Sequence, residues 1–413
     1  MSQISNIILY ISFFTSLYFE VFLLISFLEN RTEKGGEKIK LSSILPSVTI
    51  IVPAFNEEKT ISKTIYSLLK LDYPKDKLKI IAVNDGSTDD TAGVLKTFRW
   101  NKRIEVINKK NGGKYTALNA AIRKTETELV GCLDADSFVP PDTLTKIIPH
   151  FENQKIMAVT PAIKIFEPDR MIRHVQSNEY NLGIFMKKSF SMLDAITVTP
   201  GPFSIFRKTV FDNLGLFHEA HNTEDLEIAM RMQKNGYRIG NAHDAVVYTV
   251  GPGSFAKLYR QRVRWVSGFL ANSIDYRSMF FNPKHKHLGL FMLPMSVVGI
   301  VLFMVSVGMV SINILRMVAD KYTEIKTIGF NWVWNGFHFD WFFINTDSKM
   351  FLGLLLFLST ILLVTLGKQI SDTKNNHFSF HTLYFPLVYG IFSIAWLSKA
   401  IYLVVLSKNT SWR

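Results

Sequence analysis

The chain reads as an α/β domain flanked by membrane-spanning α-helices. Three observations carry that reading. Apolar blocks long enough to cross a bilayer stand at both ends of the sequence. Between them, from 47 to about 250, short β-branched runs alternate with amphipathic stretches, the pattern of strands and helices laid in turn. The polar residues of this middle part gather where the strands end, which is where α/β sheets hold their ligands.

The first apolar block, 7–28 (IILYISFFTSLYFEVFLLISFL), has about the 20 residues a spanning helix needs. It lacks a basic leading region and a small-residue cleavage site, so 1–30 reads as an N-terminal membrane anchor. The basic residues of the following ENRTEKGGEKIK favour the cytoplasmic side. Apolar runs return at 288–315, 350–366 and 383–406, and KHKH at 284–287 marks another cytoplasmic edge. The stretch 286–413 is therefore a membrane region of about three helices. Four spans place both termini outside and the middle segment in the cytoplasm, in a multi-pass protein of the cell membrane. Glu20 is costly inside the first span unless neutral, paired or facing water. It either lines a polar path with Lys399 or is protonated or snorkels.

Composition narrows the partners. Hydrophobic residues make up 48% of the 413, and the positive mean hydropathy of +0.15 comes from apolar blocks instead of an even spread, which suggests membrane spans attached to a soluble domain. Cys132 is the only cysteine, so no intramolecular disulfide forms and a reducing compartment fits. The net charge of +13 suits anionic lipid, a phosphorylated substrate or nucleic acid. No zinc-finger or RNA-binding signature supports nucleic acid.

Within 45–253, SVTIIVPAF is a buried strand and EEKTISKTIYSLLKL the helix after it. KIIAVND, IEVINK and ELVGCLDAD are further strands, with TDDTAGVLKTF and KYTALNAAIRKT as intervening helices. Pro53, Ala54, Asn56 and Glu57 follow the first strand, Asp85 the second, and Asp134 and Asp136 the fourth, which points to one cleft. The basic amphipathic SFAKLYRQRVRWVSGFL falls in 254–285, ahead of the next apolar run. It reads as an interfacial segment, with Lys257, Arg260, Arg262 and Arg264 at a phospholipid surface.

The residue types define a chemistry. Two carboxylates at a strand end suit a hard cation, Mg²⁺ or Mn²⁺, shared with the phosphates of a nucleotide diphosphate. Read alone, DAD ahead of PPDTL is equally a turn or helix cap. Asp85 in NDGSTDD either caps the next helix or contacts a base or ribose. Lys114, after two glycines at a helix start, is placed for an anion, with a solvated lysine as the alternative. TED at 223–225 opens a helix, and Thr223 and Glu224 both suit an N-cap box. A carboxylate enclosed near other acids also accepts a proton from a hydroxyl, which makes Asp225, with Glu224 beside it, the catalytic candidate. In QRVRW, Arg264 suits a diphosphate, Trp265 an apolar floor under a sugar ring, and Gln261 a hydrogen bond to either.

Taken in order, PAFNEE (53–58), NDGS (84–87), DAD (134–136), PGPFSIFRK (200–208), TED (223–225) and QRVRW (261–265) carry a resemblance. The chain resembles the family-2 inverting glycosyltransferases with a GT-A fold, in the membrane branch of cellulose, chitin, hyaluronan and poly-N-acetylglucosamine synthases. The likeness covers roughly 45–280 and implies a GT-A domain with a mixed sheet. It implies that Pro53, Ala54, Asn56, Glu57, Asp85, Lys114 and Asp134 serve the nucleotide sugar, and that Asp136 with Asp134 serves the metal. Asp225 becomes the general base, Gln261, Arg264 and Trp265 serve the acceptor and diphosphate, and His243 approaches the metal.

The implied reaction is transfer of an α-linked sugar from a nucleotide donor, a UDP-sugar, to form β-linkages in a growing polysaccharide. Four spans are fewer than the larger synthases use, and QxxRW also serves enzymes that add one sugar to a lipid. A polyprenyl phosphate or glycolipid acceptor is therefore the alternative. A transporter or a degenerate sugar-nucleotide sensor competes less well, since the motifs sit in the soluble part and Asp225 and DAD are intact. The aromatic stretch 330–343 (FNWVWNGFHFDWFF) reads as an interfacial belt, or else as rings that stack on a sugar chain at the outer face. Which sugar is transferred depends on pocket shape, which spacing does not disclose.

Overall fold

Runs such as VTIIVPA and LKIIAVND lack polar alternation, so the strands they form have to be covered on both faces. The computed structural model describes residues 3–33, 45–328, 348–371 and 379–406. After helix α1 (Gln3–Glu33), strands β1 (Val48–Ala54), β2 (Leu78–Asp85) and β3 (Ile104–Lys109) pair in parallel, connected by α2 (Ile61–Leu69) and α3 (Thr91–Lys96). Helix α4 (Lys114–Ile122) leads to β4 (Leu129–Cys132), parallel to β1 on its other side. The domain continues with β5 (Ser137–Phe138), α5 (Thr143–Ile147), β6 (Ile156–Ile165), α6 (Met171–Met192) and β7 (Ser204–Arg207). It ends with α7 (Lys208–Leu214), α8 (Glu224–Lys234) and β8 (Arg238–Thr249). The sheet order is β3-β2-β1-β4-β7-β6-β8-β5. Strand β7 runs antiparallel to β4 and β6, and β5 antiparallel to β8, so the sheet is mixed.

Successive residues of each strand serve opposite layers. Ile50, Val52, Ile80 and Ala82 pack with Ile61, Ile65 and Leu68 of α2 and Leu144 and Ile147 of α5. Ile51, Ile81 and Val83 pack with Ala117 and Leu118 of α4 and Ile228, Ala229 and Met232 of α8. Each fully buried aliphatic side chain here contributes about 1.5–3 kcal/mol. Because β1, β2 and β4 run in one direction, the loops leaving them open on one edge of the sheet. ELVGCLDAD is not strand throughout. The strand stops at Cys132, and the acidic residues that follow form a turn closed by the Ser137 N–H donating to the Asp134 carbonyl at 3.0 Å.

After α9 (Phe255–Asp275) come α10 (Leu293–Ile328), α11 (Ser348–Ser371) and α12 (His381–Val405). Four helices among the described residues are long and apolar enough to cross a membrane: Ser5–Glu29, Leu288–Thr327, Ser348–Ser371 and His381–Val405. Their outer faces are apolar and uncovered, with Phe14, Leu315 and Ile391 each about two-thirds exposed, the surface that lipid covers. The Glu20 carboxylate accepts from the hydroxyls of Ser359 and Thr360 on α11. Lys399 does not share that site and lies 5.1 Å over the Tyr402 ring. The aromatic stretch 330–343 lies outside the described residues.

Helix α6 joins the membrane helices to the sheet. Phe185 packs with Leu23 and Phe27 of α1 and Leu363 of α11, and Thr382 of α12 donates to Asn178 at 3.1 Å. Gly367 of α11 crosses α6 so closely that a Cβ there would lie 1.8 Å from the Asn181 carbonyl oxygen. Gly299 of α10 has no atom within 4 Å of the same position. Gly367→Ala is therefore expected to cost about 1–3 kcal/mol through overpacking. Gly299→Ala should leave the melting temperature in the same detergent unchanged. Equal melting of the two variants would refute this account of the junction.

Candidate active site

The loops leaving β1 and β2 hold one another. Asn56, at φ 56°, accepts from the Thr88 N–H at 2.8 Å, and its own N–H donates to Ser87 Oγ at 3.0 Å. The Glu57 N–H donates to Thr91 Oγ1 (2.8 Å), the Glu58 N–H to Asp89 (3.2 Å), and the Asp90 N–H back to Glu58 (3.1 Å). These side chains satisfy N–H groups around the starts of α2 and α3. They also hold Pro53, Ala54 and Glu57 on the wall of a cleft of about 400 Å³. Asn56 is not on that wall; its side chain clamps the two loops. Asp85 reaches the cleft, but its carboxylate already accepts from Lys109 Nζ (2.5 Å) and the N–H groups of Gly112 (3.1 Å) and Gly113 (2.9 Å). It fixes the turn that starts α4.

Lys114, the first residue of α4, spans the cleft to Asp134 at 2.7 Å and Glu224 at 3.3 Å. Instead of an open anion site, it is the counter-ion of two acidic motifs. Burial by itself would lower its pKa, but Asp134, Glu224 and Asp225 outweigh burial and raise it above the ordinary lysine range. Gly201 lies against this pair, where a Cβ would come within 2.5 Å of Lys114 Nζ and 2.7 Å of Asp134 Oδ1. The adjacent Thr199 donates its N–H (3.1 Å) and hydroxyl (2.9 Å) to the Asp225 carbonyl. The PGPF loop thus holds the start of α8.

No side-chain cap forms at TED, which corrects the N-cap reading. The Thr223 hydroxyl donates to the Ala220 carbonyl (2.9 Å) and accepts from Asn272 Nδ2 (3.0 Å), while Glu224 and Asp225 line the cleft. Burial, reinforced by Glu224, raises Asp225 to about 6. Burial, then the charges of Asp134 and Glu57, raises Asp136 to about 7. Carboxylates shifted this way mark a place suited to receive a proton or positive charge. Among the described residues, no group of three His, Cys, Asp or Glu donors is preassembled for a metal. Two carboxylates on one loop instead fit a cation that completes its shell with substrate phosphates. His243 takes no part: it is absent from the cleft wall and stands 3.2 Å from Lys188 Nζ, with burial and that charge lowering it to about 4.

Gln261, Arg264 and Trp265 reach the cleft from α9. Arg264 Nη1 donates to the Asn222 carbonyl at 2.8 Å. This braces a left-handed run, Ala220, His221 and Asn222 at φ 47°, 54° and 62°, which costs on the order of 1–2 kcal/mol per residue. Arg262 does not lie at a lipid surface, being 2% exposed. Its Nη2 donates to Glu179 Oε2 of α6 (2.5 Å), its Nη1 to Gln261 Oε1 (2.7 Å), and its guanidinium covers the Trp265 ring at 4.1 Å. Glu179 Oε1 accepts in turn from the Tyr389 hydroxyl of α12 at 2.9 Å. The α9 face bearing Arg262 meets α6 and α12, so this basic position is internal and carries its own carboxylate.

The α6 residues Glu179, Tyr180 and Lys187 also line the cleft, and sequence reasoning passed over them. The available signal was weak: two charges eight positions apart, on one face of a helix that carries no motif.

Residues 49–215 match the family model described as Glycosyl transferase family 2. A poly-beta-1,6-N-acetyl-D-glucosamine synthase of Staphylococcus epidermidis is 28% identical over 368 residues, covering 86% of this chain and 84% of the relative. That of Staphylococcus aureus (strain COL) is 31% identical over 252 residues, 60% of each. A solved mannosyltransferase from Pyrobaculum calidifontis, in complex with GDP-Man and Mn²⁺, matches with a TM-score of 0.67 over 98% of this chain and 99% of that one. At 19% identity, this is a likeness of fold. A mixed sheet with the cleft at the ends of its parallel strands, flanked by helices long and apolar enough to cross a membrane, is a fold of the GT-A type. Residues 49–215 form a family-2 glycosyltransferase domain, and over most of its length the chain is similar to poly-beta-1,6-N-acetyl-D-glucosamine synthases.

Glu179→Leu leaves the Arg262 charge buried without its carboxylate and is expected to cost about 3–5 kcal/mol. Adding Arg262→Met should recover most of that loss. Thermal unfolding of the two single variants and the double variant in one detergent checks it, and strictly additive costs would exclude a coupled pair.

Proposed function

We propose that the protein polymerises N-acetylglucosamine from UDP-N-acetylglucosamine into a β-linked chain at the cytoplasmic face of the cell membrane. One observation carries the reading: a single cleft gathers Asp225, the DAD carboxylates and Gln261, Arg264 and Trp265. The likeness to poly-beta-1,6-N-acetyl-D-glucosamine synthases over 84% of one relative's length supports the choice of sugar. The basic segments flanking the spans support a cytoplasmic catalytic domain, where nucleotide sugars are available.

In this reading the nucleotide lies along Pro53, Ala54, Glu57 and Asp85, on loops held rigid by Asn56. Asp134 and Asp136 would hold Mg²⁺ or Mn²⁺, which would supply positive charge to the diphosphate. Lys114 and Arg264 add fixed positive charge around the departing group. Trp265 forms the floor under the acceptor ring, and Gln261, fixed by Arg262, hydrogen-bonds the acceptor. Asp225, with Glu224 beside it raising its basicity, takes the proton of the acceptor hydroxyl. The freed oxygen attacks the anomeric carbon from the face opposite the diphosphate. One bond forms as the other breaks, so an α-linked donor gives a β-linkage. The lengthened chain end becomes the next acceptor.

Purified protein in lipid vesicles, after chelation and repletion with Mg²⁺ or Mn²⁺, is offered a panel of labelled nucleotide sugars. Label from UDP-N-acetylglucosamine is expected in high-mass product, with kcat falling about 10²–10⁴-fold in Asp225→Asn. Since the base acts ionised and its pKa is raised to about 6, kcat/KM should rise with pH through about 6 and level off above. That limb should vanish in the variant. Label confined to an organic-extractable lipid would replace this reading with single-sugar transfer to lipid, and transfer only from another donor would overturn the choice of sugar.

A further inference from the structure

One wall of the cleft has no task in the mechanism above. On α6, Tyr180, Gly183, Ile184 and Lys187 face the cleft at helical spacing. Gly183 stands in the middle of this stripe, and a Cβ built on it meets nothing within 4 Å. Between Tyr180 and Lys187 the helix therefore leaves a recess open to the cleft.

Lys187 differs from two other cations beside the cleft, Lys114 and Arg262. Lys114 is locked between Asp134 and Glu224, and Arg262 is locked to Glu179. Among the described residues, no carboxylate lies within ion-pair distance of Lys187, and its hydrogen bond to the Pro161 carbonyl is long, at 3.5 Å. Burial lowers its pKa to about 8, with the Asp225 charge working against burial, so at neutral pH it remains largely an ammonium. An enclosed cation with little partnering is costly, and ligand oxygens would remove that cost. An anionic sugar is not favoured here, because Asp225, Asp136 and Glu57 line the same cleft. A neutral oxygen is favoured.

We propose that the α6 stripe of Tyr180, Gly183 and Lys187 is the subsite for the acceptor sugar and that Lys187 reads the substituent on its ring. It donates to an acyl or hydroxyl oxygen and rejects a ring bearing a free, cationic amine. Lys187 lines the same cleft as Asp225, the base of the proposed transfer. This inference rests on the amino-sugar reading and adds to it that the enzyme distinguishes an acylated chain end from a deacylated one.

The test uses the full-length protein in nanodiscs with UDP present. Binding of a β-linked N-acetylglucosamine oligomer and of its de-N-acetylated counterpart is measured calorimetrically, and transfer onto each is measured in parallel. Wild type is expected to bind the acetylated oligomer at least about tenfold more tightly, the scale of one hydrogen bond to a charged group. Lys187→Met should bring the two within about twofold, whereas Lys187→Arg, keeping the charge, should retain the preference. Gly183→Leu, whose side chain enters open space, should weaken the acetylated oligomer about tenfold or more with an unchanged melting temperature. Equal wild-type affinities, an unaltered ratio in Lys187→Met, or wild-type binding by Gly183→Leu would each overturn the subsite. Binding is read without a sugar donor, so an intact ratio with no transfer from UDP-N-acetylglucosamine would overturn the choice of donor alone.

Discussion

The ammonium of Lys114 holds together two acidic segments that would otherwise repel one another. Asp134 comes from the turn after β4, while Glu224 and Asp225 come from the first turn of α8. Bringing three carboxylates into one enclosed cleft is unfavourable without a cation between them. Lys114 meets that need from the start of α4, whose position is set by Asp85 gripping the Gly112 and Gly113 N–H groups. Gly201 leaves the space in which the Lys114–Asp134 pair sits. The charge balance stays incomplete, and Asp136 and Asp225 remain raised. That residue of uncompensated charge makes the cleft receptive to a cation and to a proton.

The opposite wall depends on α6, which serves two environments at once. One face packs Phe185 against membrane helices, and another presents Glu179, Tyr180 and Lys187 to the cleft. Through Glu179 the hydroxyl of Tyr389, on the last membrane helix, is connected to Arg262 and so to Gln261 and Trp265. The QRVRW motif is thereby held by residues from three helices far apart in sequence. A buried ion pair of this kind contributes less to net stability than to fixing one arrangement, because either partner alone would be a desolvated charge. For the proposed transfer that fixed arrangement is useful, since the acceptor hydroxyl would have to meet Asp225 within a narrow geometry.

Much of the site was legible before any tertiary structure. Unbroken apolar runs required strands covered on both faces, and their shared direction brought the ends of β1, β2 and β4 to one edge. Pro53, Glu57, Asp85, Asp134, Asp136, Glu224 and Asp225 line one cleft with Gln261, Arg264 and Trp265, as their placement after strands and in short motifs led one to expect. Asn56 is off the wall and His243 belongs elsewhere, because position after a strand does not say which way a side chain turns.

The sequence by itself determined the mixed character of the chain, soluble domain and membrane helices, and the charged residues that the short motifs bring to the cleft. These follow from local periodicity and from residue type, which a linear reading contains. Only the tertiary structure decided that Arg262 is internal, that Lys114 is a counter-ion, and that α6 supplies a wall. Each of these depends on which distant charge or carbonyl lies within a few ångströms. That is settled when helices pack on the sheet and on one another, and not by spacing along the chain.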